Sequence, residues 1–182
     1  MNKIYDEFPV FLIENFYYID SKRKENLIKT VLKNKELFYD ENNGHNFLIK
    51  IDNQNFFEGL YKKFYRLCEK NFLFTPNIKS SNNCWSYVSD NTNFNEVWHN
   101  HLNTSTINGV YYLNIPENDN VTIDFELNGN IYTRRVNNHD LIIFPNYLNH
   151  KPNRCYKDGY RISINMEIIC NESSEYIFNN FR

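Results

Sequence analysis

At 182 residues with a formal net charge of −2, the chain is long enough to bury its own core and too nearly neutral to offer nucleic acid an electrostatic footprint. Hydrophobic residues make up 41% and aromatics 17%, which excludes intrinsic disorder, and no run reaches the roughly 18 apolar residues of a membrane-spanning helix. The four cysteines, Cys68, Cys84, Cys155 and Cys170, form no CxxC pair, which argues against a zinc ribbon or a thioredoxin motif. The 33 asparagines and the absence of alanine read as the coding bias of an AT-rich genome and carry no chemistry.

The first residues, MNKIYDEFPVF, show neither a long apolar run nor a cleavage signature. No signal peptide is expected, and free thiols in a reducing cytoplasm are the default. Pro9 to Tyr18 reads as a strand leading into a turn. Asp20 or Ser21 can cap a helix over 22–36, with Leu27, Ile28, Val31 and Leu32 as its apolar stripe. Asp52 or Asn53 can cap a second helix over 54–72. There Phe57, Leu60, Tyr61, Phe64, Leu67 and Cys68 recur at helical spacing, a stripe that belongs to a core rather than to a cofactor.

From residue 83 the texture changes to short apolar or alternating runs broken by Asn, Gly, Pro and Asp: 84–89, 104–115, 121–127, 130–136, 140–147 and 160–169. Such spacing predicts a β sandwich or barrel, and Asn128-Gly129 marks a tight hairpin. A single domain is expected: a strand and supporting helices over 1–82, a β core over 83–170 and an extension over 171–182. Within that extension Tyr176 to Phe181 is apolar enough to cover a core edge or a partner, and a core edge is expected. The loops 38–50, 73–82, 90–97 and 151–159 carry no diagnostic composition.

Alternation in two of the strands separates an apolar from a polar face. In 160–169, Tyr160, Ile162, Ile164, Met166 and Ile168 share one parity and Arg161, Ser163, Asn165 and Glu167 the other. In 104–115, Ile107, Tyr111, Leu113 and Ile115 stand against Thr104, Thr106, Asn108, Val110, Tyr112 and Asn114. Two such strands fit a barrel covered by helices outside and wet inside.

His99 and His101, at i and i+2 on an extended segment, face the same way, and His150 follows the run Leu141 to Leu148. Three neutral imidazoles suit a divalent metal, and Arg161 with Ser163 offers a bidentate grip for a carboxylate. Metal plus carboxylate clamp is the equipment of an oxygenase that uses iron and a 2-oxoacid. His45 and His139, standing alone, are read as structural or solvent-facing. Trp98 and Tyr147 near the presumed mouth either stack on a ligand or simply pack, and Cys155 is either reactive or incidental.

These residues carry a family resemblance. His99-Asn100-His101, Asn108-Gly109-Val110-Tyr111-Tyr112-Leu113-Asn114, Phe144-Pro145-Asn146-Tyr147-Leu148-Asn149-His150 and Arg161-Ile162-Ser163-Ile164-Asn165 resemble the iron(II)- and 2-oxoglutarate-dependent dioxygenases. The pattern is most similar to small oxygenases common in phages and bacteria, with Trp85 matching a leading tryptophan, and the Val-Tyr-Tyr-Leu-Asn string looks like the prolyl-hydroxylase branch. The resemblance covers roughly 83–169. It implies a mainly β chain with N-terminal helices, folded as a double-stranded β-helix, the cupin-like jelly roll. It implies metal ligands His99 and His150, with His101 where most of the superfamily has aspartate, a departure that leaves the iron one charge unit more positive. It implies that Arg161, Ser163 and Tyr112 hold the far carboxylate of 2-oxoglutarate, with Tyr87 and Asn165 lining the site.

Fe(II), 2-oxoglutarate and O2 are then the expected cofactors, with ascorbate as an assay additive. The expected activity is hydroxylation of a small-molecule or peptide substrate with release of succinate and CO2, in the cytoplasm of a bacterium or of a phage-infected host cell. A homodimer stays open. So do two other readings: a three-histidine zinc or other metal enzyme, and a non-catalytic jelly-roll binding or structural module.

Overall fold

The computed structural model describes residues 2–5, 8–34, 39–40, 44–48, 55–77, 84–92, 94 and 96–181. Two antiparallel sheets face one another, and helices cover the back of the larger one. In chain order the elements are β1 (Asn2–Tyr5), β2 (Phe8–Ile13), α1 (Ser21–Asn34), β3 (Tyr39–Asp40), β4 (Gly44–Leu48) and α2 (Asn55–Asn71). There follow β5 (Cys84–Ser89), β6 (Ile107–Asn114), β7 (Thr122–Leu127), β8 (Asn130–Arg135), β9 (Leu141–Pro145), β10 (Asn149–Pro152), β11 (Arg161–Ile168) and α3 (Ser174–Asn179). The large sheet runs β1-β2-β9-β6-β11-β5-β4-β3 and the small one β10-β7-β8. The chain is mainly β and has the double-stranded β-helix architecture.

Strand alternation sorts the apolar residues into two layers. Phe11, Ile107, Tyr111, Leu113, Leu141, Ile143, Ile162, Ile164, Met166 and Ile168 point from the large sheet towards the helices. Val10, Leu12, Val110, Tyr112, Ile142 and Phe144, one residue out of step, point into the space between the sheets and meet Ile123 and Phe125 of β7. A strand buried on both faces reads as continuously apolar, which is why Leu141-Ile142-Ile143-Phe144 shows no alternation in the sequence.

The helices form as the stripes predict. Asp20 caps α1, its Oδ1 accepting the Arg23 amide at 3.0 Å; the cap residues expected for α2, Asp52 and Asn53, lie outside the described residues. Phe57, Leu60, Phe64 and Cys68 of α2 are fully buried on the sheet. At roughly 1.5–3 kcal/mol for each large apolar side chain, that face outweighs the helix's intrinsic propensity. The contact is closest at Gly109 of β6, where a Cβ would stand 2.6 Å from Phe64 Cε2. Ile177 and Phe178 of α3 join the same layer, and the Phe181 ring meets Phe11 at 4.6 Å between centroids. The apolar extension therefore closes the core edge. Asn128 and Gly129, with φ of 53° and 78°, make the two-residue turn between β7 and β8, where Leu127 pairs with Asn130.

Several elements differ from the sequence expectation. Residues 38–50, read as loop, contribute β3 and β4; β4 pairs with β5 and β3 with β4, through backbone bonds that need no apolar alternation. Residues 104–106, read as strand, form a turn instead, with the Thr104 and Ser105 amides both donating to the His101 carbonyl. Ile115 lies one residue past the end of β6 and packs with the inter-sheet layer rather than with Leu113. Residues 149–152 form β10, a strand too short and polar to signal itself.

Candidate metal centre

The two outer histidines are positioned by backbone pairing. His99 donates its amide to the His150 carbonyl at 3.1 Å, and His150 returns the bond at 2.9 Å. Residues paired in this way carry their side chains on the same face, and the rings stand 4.2 Å apart between centroids. Asn100 and Asn149 tie the same two segments together, Nδ2 of the first donating to Oδ1 of the second at 3.0 Å. His101, two residues on, is fixed by its amide bond to the Asn146 carbonyl at 2.9 Å and faces the same point. The ligand nitrogens of His99, His101 and His150 all lie within 4.8 Å of one another.

Hydrogen bonding decides which nitrogen each ring offers. His99 Nδ1 lies 3.0 Å from the Val97 carbonyl, His150 Nδ1 3.1 Å from the Leu148 carbonyl, and His101 Nδ1 2.7 Å from Glu167 Oε1. These oxygens accept, so in the neutral ring each Nδ1 carries the proton and each Nε2 keeps its lone pair for a ligand. Burial holds the His150 imidazole well below its ordinary range, helped by repulsion from His99 and His101; burial also lowers His99. Neutral imidazoles with lone pairs converging on one point are the donor set that a first-row divalent ion requires. The residues fit a metal.

The cluster opens into a cavity of about 510 Å³. Its floor is a patch of three adjacent strands. Ser163 of β11 pairs with Tyr87 of β5 and with Tyr112 of β6, and Asn165 pairs with Trp85 and Val110 in the next row. All six line the cavity, as does Arg161 at the start of β11. Val97, Ile123 and Pro152 complete the walls.

Arg161 is only 2% exposed. Its Nη1 donates to the Asn153 carbonyl at 2.7 Å, and its guanidinium lies 5.7 Å from the Tyr87 ring centre. Among the described residues it forms no ion pair, and no acid lines the cavity. A buried cation without a carboxylate partner is costly unless an anion supplies the missing charge. Beside it the Tyr112 phenol, 3% exposed, is pushed far up by burial, so it is a neutral donor.

All eight residues singled out from the sequence, His99, His101, His150, Arg161, Ser163, Tyr112, Tyr87 and Asn165, border this one cavity. Glu167 was not singled out; only its parity with Arg161, Ser163 and Asn165 signals it. Of the residues left open, Trp98 and Tyr147 do not line the cavity: Trp98 carries Lys151 over its ring at 5.5 Å, and Tyr147 packs against the inter-sheet layer. Cys155 is fully buried and its thiol is pushed up by that burial, the condition of an inert cysteine. His139 bonds the Tyr111 hydroxyl at 2.8 Å and is structural. The His45 side chain lies outside the described residues. No described helix is long and apolar enough to cross a membrane.

No protein-family model and no curated protein matches the sequence. Solved structures do. A Pseudomonas putida prolyl-4-hydroxylase superposes with a TM-score of 0.68 at 12% identity, over 91% of this chain and 95% of that one. SnoK, a non-haem α-ketoglutarate-dependent carbocyclase from nogalamycin biosynthesis, gives 0.61 at 9% identity, over 88% and 81%. HygX from Streptomyces hygroscopicus, with nickel and 2-oxoglutarate bound, gives 0.58 at 8% identity, over 88% and 81%. Identities this low establish likeness of fold, and the chain shares the double-stranded β-helix of these structures.

Proposed function

We propose that this protein is an iron(II)- and 2-oxoglutarate-dependent oxygenase that hydroxylates a small molecule or a peptide. The observation that carries the reading is the pairing, in one cavity, of three converging imidazole nitrogens with a buried arginine that forms no ion pair among the described residues. The fold shared with HygX, whose structure holds nickel and 2-oxoglutarate, supports it.

On this reading His99, His101 and His150 hold the metal through Nε2. Arg161, with the Tyr112 hydroxyl and the Ser163 hydroxyl beside it, binds the far carboxylate of the cosubstrate and so fixes its orientation. Tyr87 and Asn165 border the bound cosubstrate, while Val97, Val110 and Ile123 exclude water from it. When bound together, the metal, O2 and 2-oxoglutarate supply an oxidative decarboxylation that yields succinate, CO2 and a hydroxylated substrate. The whole chain acts as one catalytic domain in this scheme, and the open loops around the mouth select the substrate.

The direct test is succinate formation from 2-oxoglutarate under air, with and without Fe(II) and with ascorbate present, in wild type, His150→Ala and Arg161→Ala. Iron-dependent turnover lost in both variants is the expected result. Absence of turnover, together with calorimetric failure to bind Fe(II) or 2-oxoglutarate, overturns the reading. Tight Zn(II) binding without 2-oxoglutarate binding would move it to a three-histidine zinc enzyme.

A further inference from the structure

Three neutral imidazoles leave the charge of a bound divalent ion uncompensated, and Arg161 already places a cation in the same cavity, whose described lining contains no acid. Accumulated positive charge around a cation site weakens metal binding. The two outer rings do nothing to offset it, since their Nδ1 partners are the uncharged carbonyls of Val97 and Leu148. The third ring differs. His101 Nδ1 is 2.7 Å from Glu167 Oε1, and that carboxylate is 2% exposed.

The carboxylate is held where it stands. Thr104 Oγ1 donates to the same Oε1 at 3.1 Å, and Thr104 belongs to the turn whose amides close on the His101 carbonyl. The Glu167 backbone carbonyl accepts the Tyr61 hydroxyl at 3.0 Å, which fastens this point of β11 to α2. Glu167 therefore sits at a fixed distance behind one ligand, on the strand that also carries Arg161, Ser163 and Asn165.

We propose that Glu167 is the positioning residue that gives the metal site its negative charge, acting through the ring of His101. The inference rests on reading the three histidines as metal ligands. A carboxylate accepting the Nδ1 proton fixes the ring's orientation and makes Nε2 a stronger donor. His101 and Glu167 together form an anionic unit, in which the imidazole provides the contact and the carboxylate provides the charge.

The test uses the apo protein and Co(II) as probe. Glu167→Gln keeps an acceptor oxygen and nearly the same volume but removes the charge. The expected outcome is a fall in Co(II) affinity of about 10- to 100-fold, a shifted visible absorption of the Co(II)-saturated protein, and an apo melting temperature within about 2 °C of wild type. In a His101→Ala background the same change should have no further effect on affinity, because the charge would have lost its relay. Glu167→Asp, which keeps the charge but withdraws it by one methylene, should also weaken binding and serves if the glutamine variant does not fold. Wild-type affinity in both variants, or an undiminished loss in the His101→Ala background, overturns the proposal. Failure of the wild-type protein to bind Co(II) would instead overturn the three-histidine reading, and this inference with it.

Discussion

Replacing Arg161 by methionine should separate ligand binding from folding, with a large effect on the first and little on the second. The side chain is buried, donates Nη1 to the Asn153 carbonyl, and among the described residues forms no ion pair. Methionine fills much the same space and avoids burying a charge. The gain in desolvation then offsets the lost hydrogen bond, worth about 1.5–3 kcal/mol for a charged donor, and apo stability should move by no more than about 1 kcal/mol. Binding of 2-oxoglutarate should suffer. The donors of Arg161 not used on Asn153 are available to a carboxylate, and two charge-assisted bonds at about 1.5–3 kcal/mol each give a loss of roughly 3–6 kcal/mol. At 1.4 kcal/mol per tenfold, that is at least about 100-fold in Kd. Anaerobic titration calorimetry with 2-oxoglutarate on Co(II)-loaded protein measures the second quantity, and scanning calorimetry of the apo protein the first. Affinity within threefold of wild type would refute the clamp. A loss of apo stability of several kcal/mol would show Arg161 to be a structural group whose surroundings need its charge.

Three further outcomes are expected. His150→Ala should lower Co(II) affinity by more than about 100-fold in a chelator competition, since it removes the most buried of the three donors, whereas His139→Ala should leave affinity unchanged. Burial lowers His99 and His150 in the folded apo protein, so the folded state binds fewer protons than the unfolded one between their depressed pKa values and the ordinary value near 6.5. Stability therefore rises with pH across that window, and apo melting temperature should fall as pH drops from 7 towards 5; a fall no smaller in His150→Leu would contradict this assignment. Gly109→Ala should destabilise the protein by about 1–3 kcal/mol in urea denaturation, because its Cβ would meet the Phe64 ring. Phe64→Leu should recover part of that loss, and purely additive effects would argue against the contact.

The parts of the molecule that show in its sequence are those where one strand has two different faces. Arg161, Ser163 and Asn165 stand out because isoleucines separate them, and the cavity floor follows from that alternation together with the parity of Tyr112 on β6. The His-x-His spacing shows because an extended segment repeats every second residue. What did not show depended on pairing across long sequence distances. The bridge between His99 and His150 is made of backbone groups, so the sequence reveals the two histidines but not the pair of hydrogen bonds that sets their separation. Glu167 lies 66 residues from His101 and carries no local mark beyond its parity. Strand β10, Asn149–Pro152, is four mostly polar residues that owe their place to pairing with β7, and β4 owes its place to hydrogen bonds with β5.

The order of strands in the large sheet has a consequence for how a ribosome delivers this protein. β11 lies between β6 and β5, and β9 lies between β2 and β6. During synthesis β2 can pair with β1 at once, but its other edge must wait for β9 some 130 residues downstream, as in the pairing of Phe11 with Ile143, and β5 and β6 stay apart until residues 161–168 have emerged. A nascent chain that stops short of β11 carries helices with apolar stripes and sheet edges with unpaired amides, the species most exposed to aggregation. Pulse-labelled hydrogen exchange should show the β5, β6 and β11 amides gaining protection together, after α1 and α2. The last long strand to be made is thus both the keystone of the sheet and the strand that carries Arg161, Ser163 and Asn165, so the cavity is completed in the same event as the fold.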